Sequence, residues 1–191
     1  AWARRFESGG SEMTESNSVR FIECREETHA QPIVDILNDA IVTSTALYDY
    51  VPRPVEAMTG WFTAKAAGRF PVIGAVDPDG TLLGFASYGP FRNWPAYKYS
   101  VEHSVYVHKA HRGRGLGRGL MEQLIEAARA QDYHVMIGGI DVTNVGSIAL
   151  HERLGFTHAG TIRQAGFKFG RWLDLAFYQR LLETPAEPVD G

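Results

Sequence analysis

The sequence has 191 residues and a single cysteine, Cys24, so an internal disulfide bond is excluded. No apolar run approaches the roughly 18 residues that a membrane-spanning helix needs. The net charge is only −3 and the pI is about 6.2, which disfavours a chain that binds polyanions as a whole. These absences predict a protein of the reducing cytoplasm that binds neither membrane nor nucleic acid, and whose anionic ligands, if any, are small.

Hydrophobic residues make up 45% of the chain, which is enough for one full core at this length. We therefore expect a single domain over residues 13–183 and a flexible tail over residues 184–191. Residues 1–12 are polar and lie before Met13, so we interpret them as an added tail rather than a native segment.

Hydrophobic periodicity predicts a strand over residues 19–25 and a helix over residues 28–44. Thr28 and Gln31 have the spacing of a capping box at the start of that helix. A second helix is expected over residues 54–68, because proline favours the first helical position and glycine the end.

The middle of the chain alternates strands with a further helix. Residues 71–89 are typical of a hairpin around an Asp-Pro-Asp-Gly turn, and residues 101–107 alternate strictly as a central strand does. A helix from Leu116 and a strand over residues 135–141 follow. The remaining predicted elements are a helix over 145–154 and strands within 156–169 and 171–182.

Four alternate glycines lie in HRGRGLGRGL, residues 111–120, between a predicted strand and a predicted helix. A glycine-rich turn at a helix N-terminus offers unpaired N–H groups and the positive end of the helix dipole to an anion such as phosphate. No Gly-Lys-Ser/Thr follows and the Gly-x-Gly-x-x-Gly spacing fails, so a Walker site and a Rossmann site are both disfavoured. The pattern that remains is Arg112-x-x-Gly115-x-Gly117; the alternative is a tight connection with solvated arginines.

This pattern resembles the Arg/Gln-x-x-Gly-x-Gly/Ala signature of the GNAT superfamily of N-acetyltransferases, whose turn binds the pyrophosphate of acetyl-CoA. NVGSIALHERLGF, residues 144–156, resembles the asparagine-led helix that follows the fifth strand in that superfamily. VEHSVYV, His151 and AGFKFGRWLDLAFYQ, residues 165–179, are similar to the phosphinothricin acetyltransferase branch, which acetylates the α-amine of glutamate-like or methionine-like compounds. The resemblance spans residues 18–183.

The resemblance implies an α/β (α+β) fold with a mixed, mostly antiparallel sheet, splayed between strands four and five and flanked by helices. It implies acetyl-CoA as cosubstrate, no metal, direct transfer in a ternary complex and a small amino-acid-like acceptor. It also implies a homodimer, with the aromatic segments around Trp94 and Trp172 as interface anchors.

Acetyl transfer to an α-amine needs a base, because the amine pKa is near 8 and the group is largely protonated at pH 7. Glu102 matches the glutamate that this branch is thought to use as base, although a solvated strand carboxylate is the alternative. His151 stands where many superfamily members have a tyrosine, so the resemblance implies an acid or a proton relay with Glu102. A histidine that only lines the pantetheine path is the alternative for His151. His103 should point to the face opposite Glu102 and is interpreted as structural.

The resemblance also implies the residues that bind acetyl-CoA. Backbone N–H groups of Val105 and Val107 resemble those that pair with pantetheine as an added strand. Asn144 is expected either to hold the cofactor arm or to cap its helix. The full predicted set is Val105, Tyr106, Val107, Arg112, Gly113, Arg114, Gly115, Leu116, Gly117, Arg118, Asn144 and Ser147.

The acceptor carboxylate calls for a bidentate arginine, and Arg92 is the best-placed candidate, with Tyr97 and Lys98 behind it. A surface arginine beside aromatics is the alternative. Residues 44–50 are expected to form the other wall. Two other functions stay open: acetylation of protein N-termini or other amines, which needs an open peptide groove, and CoA sensing without chemistry.

Overall fold

The computed structural model describes residues 18–190, and all statements about the structure concern that range. The tail predicted over residues 1–12 lies outside it. The helices are α1 (Glu26–Thr43), α2 (Ala57–Ala67), α3 (Leu116–Ala130) and α4 (Val145–Arg153). The strands are β1 (Arg20–Glu23), β2 (Val72–Val76), β3 (Leu82–Pro90), β4 (Ser100–Val107), β5 (Val135–Asp141), β6 (Thr157–Lys168) and β7 (Arg171–Leu181).

The strands form one sheet in the order β1-β2-β3-β4-β5-β7-β6. Every neighbouring pair is antiparallel except β4 and β5, which run parallel. These two strands pair only from Ser100 to Glu102 on one side and from Val135 to Ile137 on the other. Since both strands continue beyond that point, the sheet splays open at its centre, and the predicted fold class is confirmed.

Helices cover both faces of the sheet. On one face α3 buries Leu120 and Leu124 against strand residues such as Val101. On the other face α1 and α2 bury Ile33 and Met58 in a second cluster around strand side chains. Helices therefore pack on both faces of the sheet that contains the gap between β4 and β5.

The predicted capping box at the start of α1 is wrong. The helix begins two residues before Thr28, and its N-cap is Arg25, which makes no side-chain capping bond. The Nδ1 atom of His29 instead accepts a hydrogen bond from the backbone N–H of Arg25 at 2.9 Å. Glu26 and Glu27 in the first turn favour this earlier start, because carboxylates are stabilised at the positive end of the helix dipole.

The predicted start of α2 is also early by three residues. The carbonyl of Pro54 accepts a bond from the Ala57 N–H at 3.1 Å, in a turn that leads into the helix. The predicted end is confirmed, since Gly68 is the C-cap. At the other end of the chain, residues 184–190 lie in neither helix nor strand, and Val189 contacts the Tyr99 hydroxyl. The predicted flexibility of that tail stays a prediction.

Candidate active site

Two adjoining cavities lie where β4 and β5 separate. The larger has a volume of about 660 Å³ and extends from the glycine turn along β4 to the start of α4. The smaller, of about 230 Å³, contains Glu102 and continues toward β5. Both are lined by Ala46, Val105, Tyr106, Asn144 and Ser147, so a ligand in one cavity reaches the other.

The glycine turn has the geometry of an anion site. Gly113 and Gly115 both have φ of 77°, in the left-handed region that favours glycine. Gly115 is the N-cap of α3 and offers no side chain to the first N–H groups of that helix, which have no partner within the helix. A Cβ at either glycine would meet nothing within 4 Å, so the turn is open toward a ligand.

Most of the residues predicted to bind acetyl-CoA border the larger cavity. Arg114 is the exception; its guanidinium lies 3.1 Å from the Nδ1 atom of His111. Arg112 donates to the Val107 carbonyl at 3.3 Å, and Arg118 forms an exposed ion pair with Glu122. The predicted residues that line the cavity are Val105, Tyr106, Val107, Arg112, Gly113, Gly115, Leu116, Gly117, Arg118, Asn144 and Ser147.

The backbone of β4 has free donors along the gap. The His108 N–H bonds the Leu83 carbonyl, and the Phe91 N–H bonds the Ser100 carbonyl, so the even-numbered residues of β4 direct their polar groups toward β3. By alternation, the N–H groups of Val105 and Val107 point toward β5, beyond the last pair that β5 makes with β4. A narrow extended ligand can pair with them there, and the pantetheine arm of acetyl-CoA is such a ligand.

Glu102 is half-buried and occupies the last position at which β4 pairs with β5. Burial raises the pKa of its carboxyl above the ordinary value, and the positive charge of Arg92 acts in the opposite direction. A Cβ at Gly139 would lie 3.4 Å from the Glu102 carboxylate oxygen, so this glycine leaves room beside the carboxylate. Gly138 and Gly139 are two successive glycines inside a strand, a sequence signal that could have predicted such a close approach.

His151 is 1% exposed, and both of its ring nitrogens are engaged. Its Nδ1 atom lies 2.6 Å from the Ser147 carbonyl oxygen, and its Nε2 atom lies 3.0 Å from the Nε2 atom of His103. The two rings stack with centroids 5.0 Å apart. A carbonyl only accepts, so Nδ1 of His151 carries a proton, and in the neutral ring its Nε2 atom accepts from His103.

The histidine pair is electrically neutral near pH 7. Burial, together with the smaller effect of neighbouring His151, lowers the pKa of His103 to about 3. Burial also lowers the pKa of His151, while the hydrogen bond to Ser147 opposes that change. A Cβ at Gly138 would fall 2.6 Å from the His103 ring, whereas one at Gly139 faces Glu102. His103 and Glu102 therefore lie on opposite faces of the sheet, and the sequence interpretation missed the partnership of His103 with His151.

Of the residues expected to bind the acceptor, those of segment 44–50 lie at the smaller cavity, whereas Arg92, Tyr97 and Lys98 do not. Arg92 is exposed, donates to the Phe91 carbonyl at 2.7 Å and stacks 4.1 Å from the Phe91 ring, close enough to Glu102 to affect its pKa. Tyr97 also packs against Phe91, and Lys98 lies over Tyr99. None of these candidate side chains borders the smaller cavity. The residues 44–50 do contribute to it, through Thr45, Ala46 and Tyr48.

Asp141, at the end of β5, is a buried carboxylate of the smaller cavity that sequence reasoning missed. Burial favours its protonated form, but hydrogen bonds from Thr143 and Thr45 and the charge of Arg171 outweigh burial and lower its pKa. Helix α4 begins four positions later, at Val145. The Oδ1 atom of Asn144 accepts from the Ser147 N–H at 3.1 Å, so Asn144 does cap α4, and it also borders both cavities.

Among residues 18–190 there is no group of three histidine, cysteine, aspartate or glutamate side chains placed to hold a metal ion. No helix in the described range has the length and hydropathy of a membrane span.

Comparison with known proteins assigns this geometry to a family. Residues 30–156 match the model of the acetyltransferase (GNAT) family. The chain is 46% identical over 151 residues to the L-methionine sulfoximine/L-methionine sulfone acetyltransferase of Pseudomonas paraeruginosa, covering 79% of this chain and 88% of that protein. It is 36% identical over 173 residues to the phosphinothricin N-acetyltransferase of Streptomyces viridochromogenes, covering 88% and 92%. The crystal structure of a phosphinothricin acetyltransferase from Sinorhizobium meliloti in complex with acetyl-CoA superposes with a TM-score of 0.84 at 33% identity, covering 92% and 95%.

Proposed function

The chain belongs to the GNAT family of acetyltransferases and is an acetyl-CoA-dependent N-acetyltransferase, and we propose that it acetylates the α-amine of a small amino-acid-like acceptor. The acceptor class is that of methionine sulfoximine, methionine sulfone and phosphinothricin, which relatives of this chain are named for. The observation that carries the proposal is the small cavity around Glu102, which adjoins the cavity of the glycine turn. A volume of about 230 Å³ suits one small acceptor better than a peptide.

In this proposal Glu102 is the general base. Acetyl-CoA supplies an acetyl group activated as a thioester. The Glu102 carboxylate takes a proton from the acceptor ammonium, and the neutral amine then forms the N–C bond as the C–S bond breaks. The nitrogen releases its second proton to solvent, which leaves a neutral amide. The N–H groups of Val105 and Val107 hold the cosubstrate along β4, and one of them polarises the thioester carbonyl.

The proton for the leaving thiolate is best supplied by Glu102 itself. A protonated carboxyl is a stronger acid than a thiol, whose pKa is near 8.5, so the return of the proton is downhill. His151 is a weaker candidate for direct acid, because both ring nitrogens are already bonded and its pKa is lowered. We propose that His151 lines the cavity and fixes α4 against β4.

The acceptor class is tested by following thiol release from acetyl-CoA with the twenty amino acids, the three analogues and a short peptide. Turnover of the free amino acids or analogues supports the proposal. Turnover of the peptide alone would replace it with N-terminal acetylation, and tight CoA binding without any turnover would make the protein a sensor.

Arg92 is proposed to clamp the acceptor carboxylate, moving inward from its place over Phe91. Arg92→Ala should raise the KM for the amino acid roughly 30- to 150-fold, the equivalent of about 2–3 kcal/mol for one charge-assisted bidentate contact. Because the contact persists from ground state to transition state, kcat should change little. Steady-state kinetics and calorimetry with acetyl-CoA measure both effects.

A methyl-ester acceptor is the control for Arg92. It lacks the charge that the guanidinium would recognise, so its kinetics should be nearly indifferent to Arg92→Ala. Equal losses for acid and ester would mean that Arg92 only supports its loop.

We propose that the protein forms a homodimer. The support is a set of exposed aromatic side chains, including Trp94 at 74% and Trp172 at 58% exposure, and such residues are enriched in protein interfaces. Sedimentation at micromolar concentration should give the mass of two chains, and Trp172→Ser should shift it toward one. A wild-type monomer with full activity would disprove the assembly.

We infer the reducing cytoplasm as the working compartment. Cys24 is a buried free thiol whose pKa burial raises to about 12, so it is unreactive toward exchange. Its side chain takes part in the core beside α1, where oxidation would disrupt packing.

A further inference from the structure

Lys168 lies in the AGFKFG stretch, residues 165–170, at the end of β6, and takes no part in the proposed chemistry. Its side chain is 4% exposed, and its ammonium donates to three backbone carbonyls. These are the carbonyls of Ile41 at 2.7 Å, Ser44 at 3.0 Å and Leu47 at 2.6 Å. An ammonium has three donor hydrogens, so the geometry uses all of them.

The three carbonyls belong to the C-terminal end of α1 and the segment that leaves it. The last turn of α1 contains no basic residue of its own. Carbonyls at a helix C-terminus have no partners within the helix and carry the negative end of the dipole. Lys168 therefore stabilises the end of α1 from a strand more than 120 residues away in sequence. Burial lowers its pKa while Asp49 opposes that change, and the carbonyls compensate the buried charge.

The segment held in this way is a wall of the smaller cavity. Leu47, whose carbonyl binds Lys168, lies between Ala46 and Tyr48, which both line the cavity with Glu102. Two further contacts join the same segment to β6. The Tyr50 hydroxyl donates to the Phe167 carbonyl at 2.6 Å. A Cβ at Gly166 would lie 2.9 Å from the Tyr48 ring, so strand and wall fit closely.

We propose that Lys168 is a positioning residue that sets the wall of residues 44–50 against the acceptor, and thereby sets acceptor affinity. The inference rests on the proposed function for its kinetic consequence but not for its structural one. Lys168 acts through Leu47 and its neighbours and touches neither substrate.

Lys168→Met tests the proposal, because methionine keeps the length and apolar stem of the side chain but has no donor. We expect amide hydrogen exchange in residues 44–50 to be faster in Lys168→Met than in the wild type. Exchange in the first half of α1 should change less. We also expect the KM for the acceptor to rise roughly tenfold or more, since small misplacements of a substrate wall have large kinetic effects. The Kd for acetyl-CoA should rise by a smaller factor.

Lys65→Met is the matched control. Lys65 is also a partly buried lysine bonded to a carbonyl, that of Tyr88 at 2.7 Å, and burial lowers its pKa to about 8. It lies on α2 and makes no hydrogen bond to residues 44–50. A general loss of stability from removing a buried ammonium would appear in both variants, whereas faster exchange confined to the wall should appear only in Lys168→Met.

Tyr50→Phe covers the case in which Lys168→Met does not fold. Tyr50 is largely exposed, so its loss should leave the fold intact while removing one link to β6. Exchange in residues 44–50 should increase, with a rise in acceptor KM smaller than that expected for Lys168→Met. Unchanged exchange and unchanged KM in a folded Lys168→Met, or unchanged exchange in Tyr50→Phe, would overturn the proposal. If the wild type acetylates no free amino acid, the proposed function fails, and the exchange measurement still decides the role of Lys168.

Discussion

Glu102→Gln should lower kcat/KM at pH 7 by on the order of 10²–10⁴, which is the usual contribution of a general base. Glutamine keeps the shape and hydrogen bonding of the side chain but accepts no proton. In the wild type, activity should fall as the pH drops through the pKa of Glu102, which burial raises. In Glu102→Gln this acid limb should be absent, and much of the rate should return above pH 8, where the amine is already neutral.

The pH–rate profile and the Kd for acetyl-CoA are the two measurements that decide the role of Glu102. The Kd should barely change, because Glu102 does not line the cavity of the glycine turn. Glu152→Gln provides a control, since Glu152 is an exposed glutamate of α4 next to His151. If Glu102→Gln stays within a factor of about three of wild type at pH 7, the base is another group that reaches the amine through water.

Gly115→Val should abolish most of the affinity for CoA. The branched side chain would lie over the open turn, where the pyrophosphate is proposed to bind the N–H groups of α3. The loss of two charge-assisted hydrogen bonds, about 3–6 kcal/mol, corresponds to a Kd raised roughly 150-fold or more. Isothermal calorimetry with CoA measures the change directly.

Backbone strain must be separated from the loss of the anion site, since φ of 77° is unfavourable for valine. Gly80→Val is the matched control. Gly80 has φ of 86°, a Cβ there also meets nothing within 4 Å, and it lies in the hairpin turn between β2 and β3. Both variants should lose stability to a similar degree, but only Gly115→Val should lose CoA. Unchanged CoA binding by folded Gly115→Val would contradict the phosphate assignment.

The sequence predicted the order and type of the elements because their signals are local. Alternation in β4 and the apolar stripe of α3 both depend on one segment and one buried face. The starts of α1 and α2 were predicted less well. Helix α1 begins after Arg25, whose N–H bonds the His29 ring, and Pro54 belongs to a turn before α2. Several residues near each start are acceptable first residues of a helix, and local signals do not decide between them.

Within the site, sequence patterns pointed to residues of continuous motifs, whose roles stay predictions, but did not point to the partners between motifs. The glycine turn precedes α3 as expected, and its glycines, its arginines and its place between a strand and a helix led to the prediction of an anion site. The contact of His103 with His151 joins residues 48 positions apart, and that of Lys168 with Ile41 joins residues 127 apart. No periodicity in a single sequence reports such pairs, since each depends on how two elements pack.

The neutral histidine pair makes the fold itself sensitive to acid. In the unfolded chain His103 and His151 bind protons below the ordinary histidine pKa of about 6.5, whereas in the folded protein both pKa values are lowered, that of His103 to about 3. The unfolded state therefore takes up more protons as the pH falls below 6.5, and the free energy of unfolding decreases across that window until His103 titrates in the folded state. Acid also protonates Glu102, whose pKa burial raises, so acid inactivation has two components. Circular dichroism at each pH separates loss of fold from loss of the base, and that separation determines which part of the acid limb belongs to catalysis.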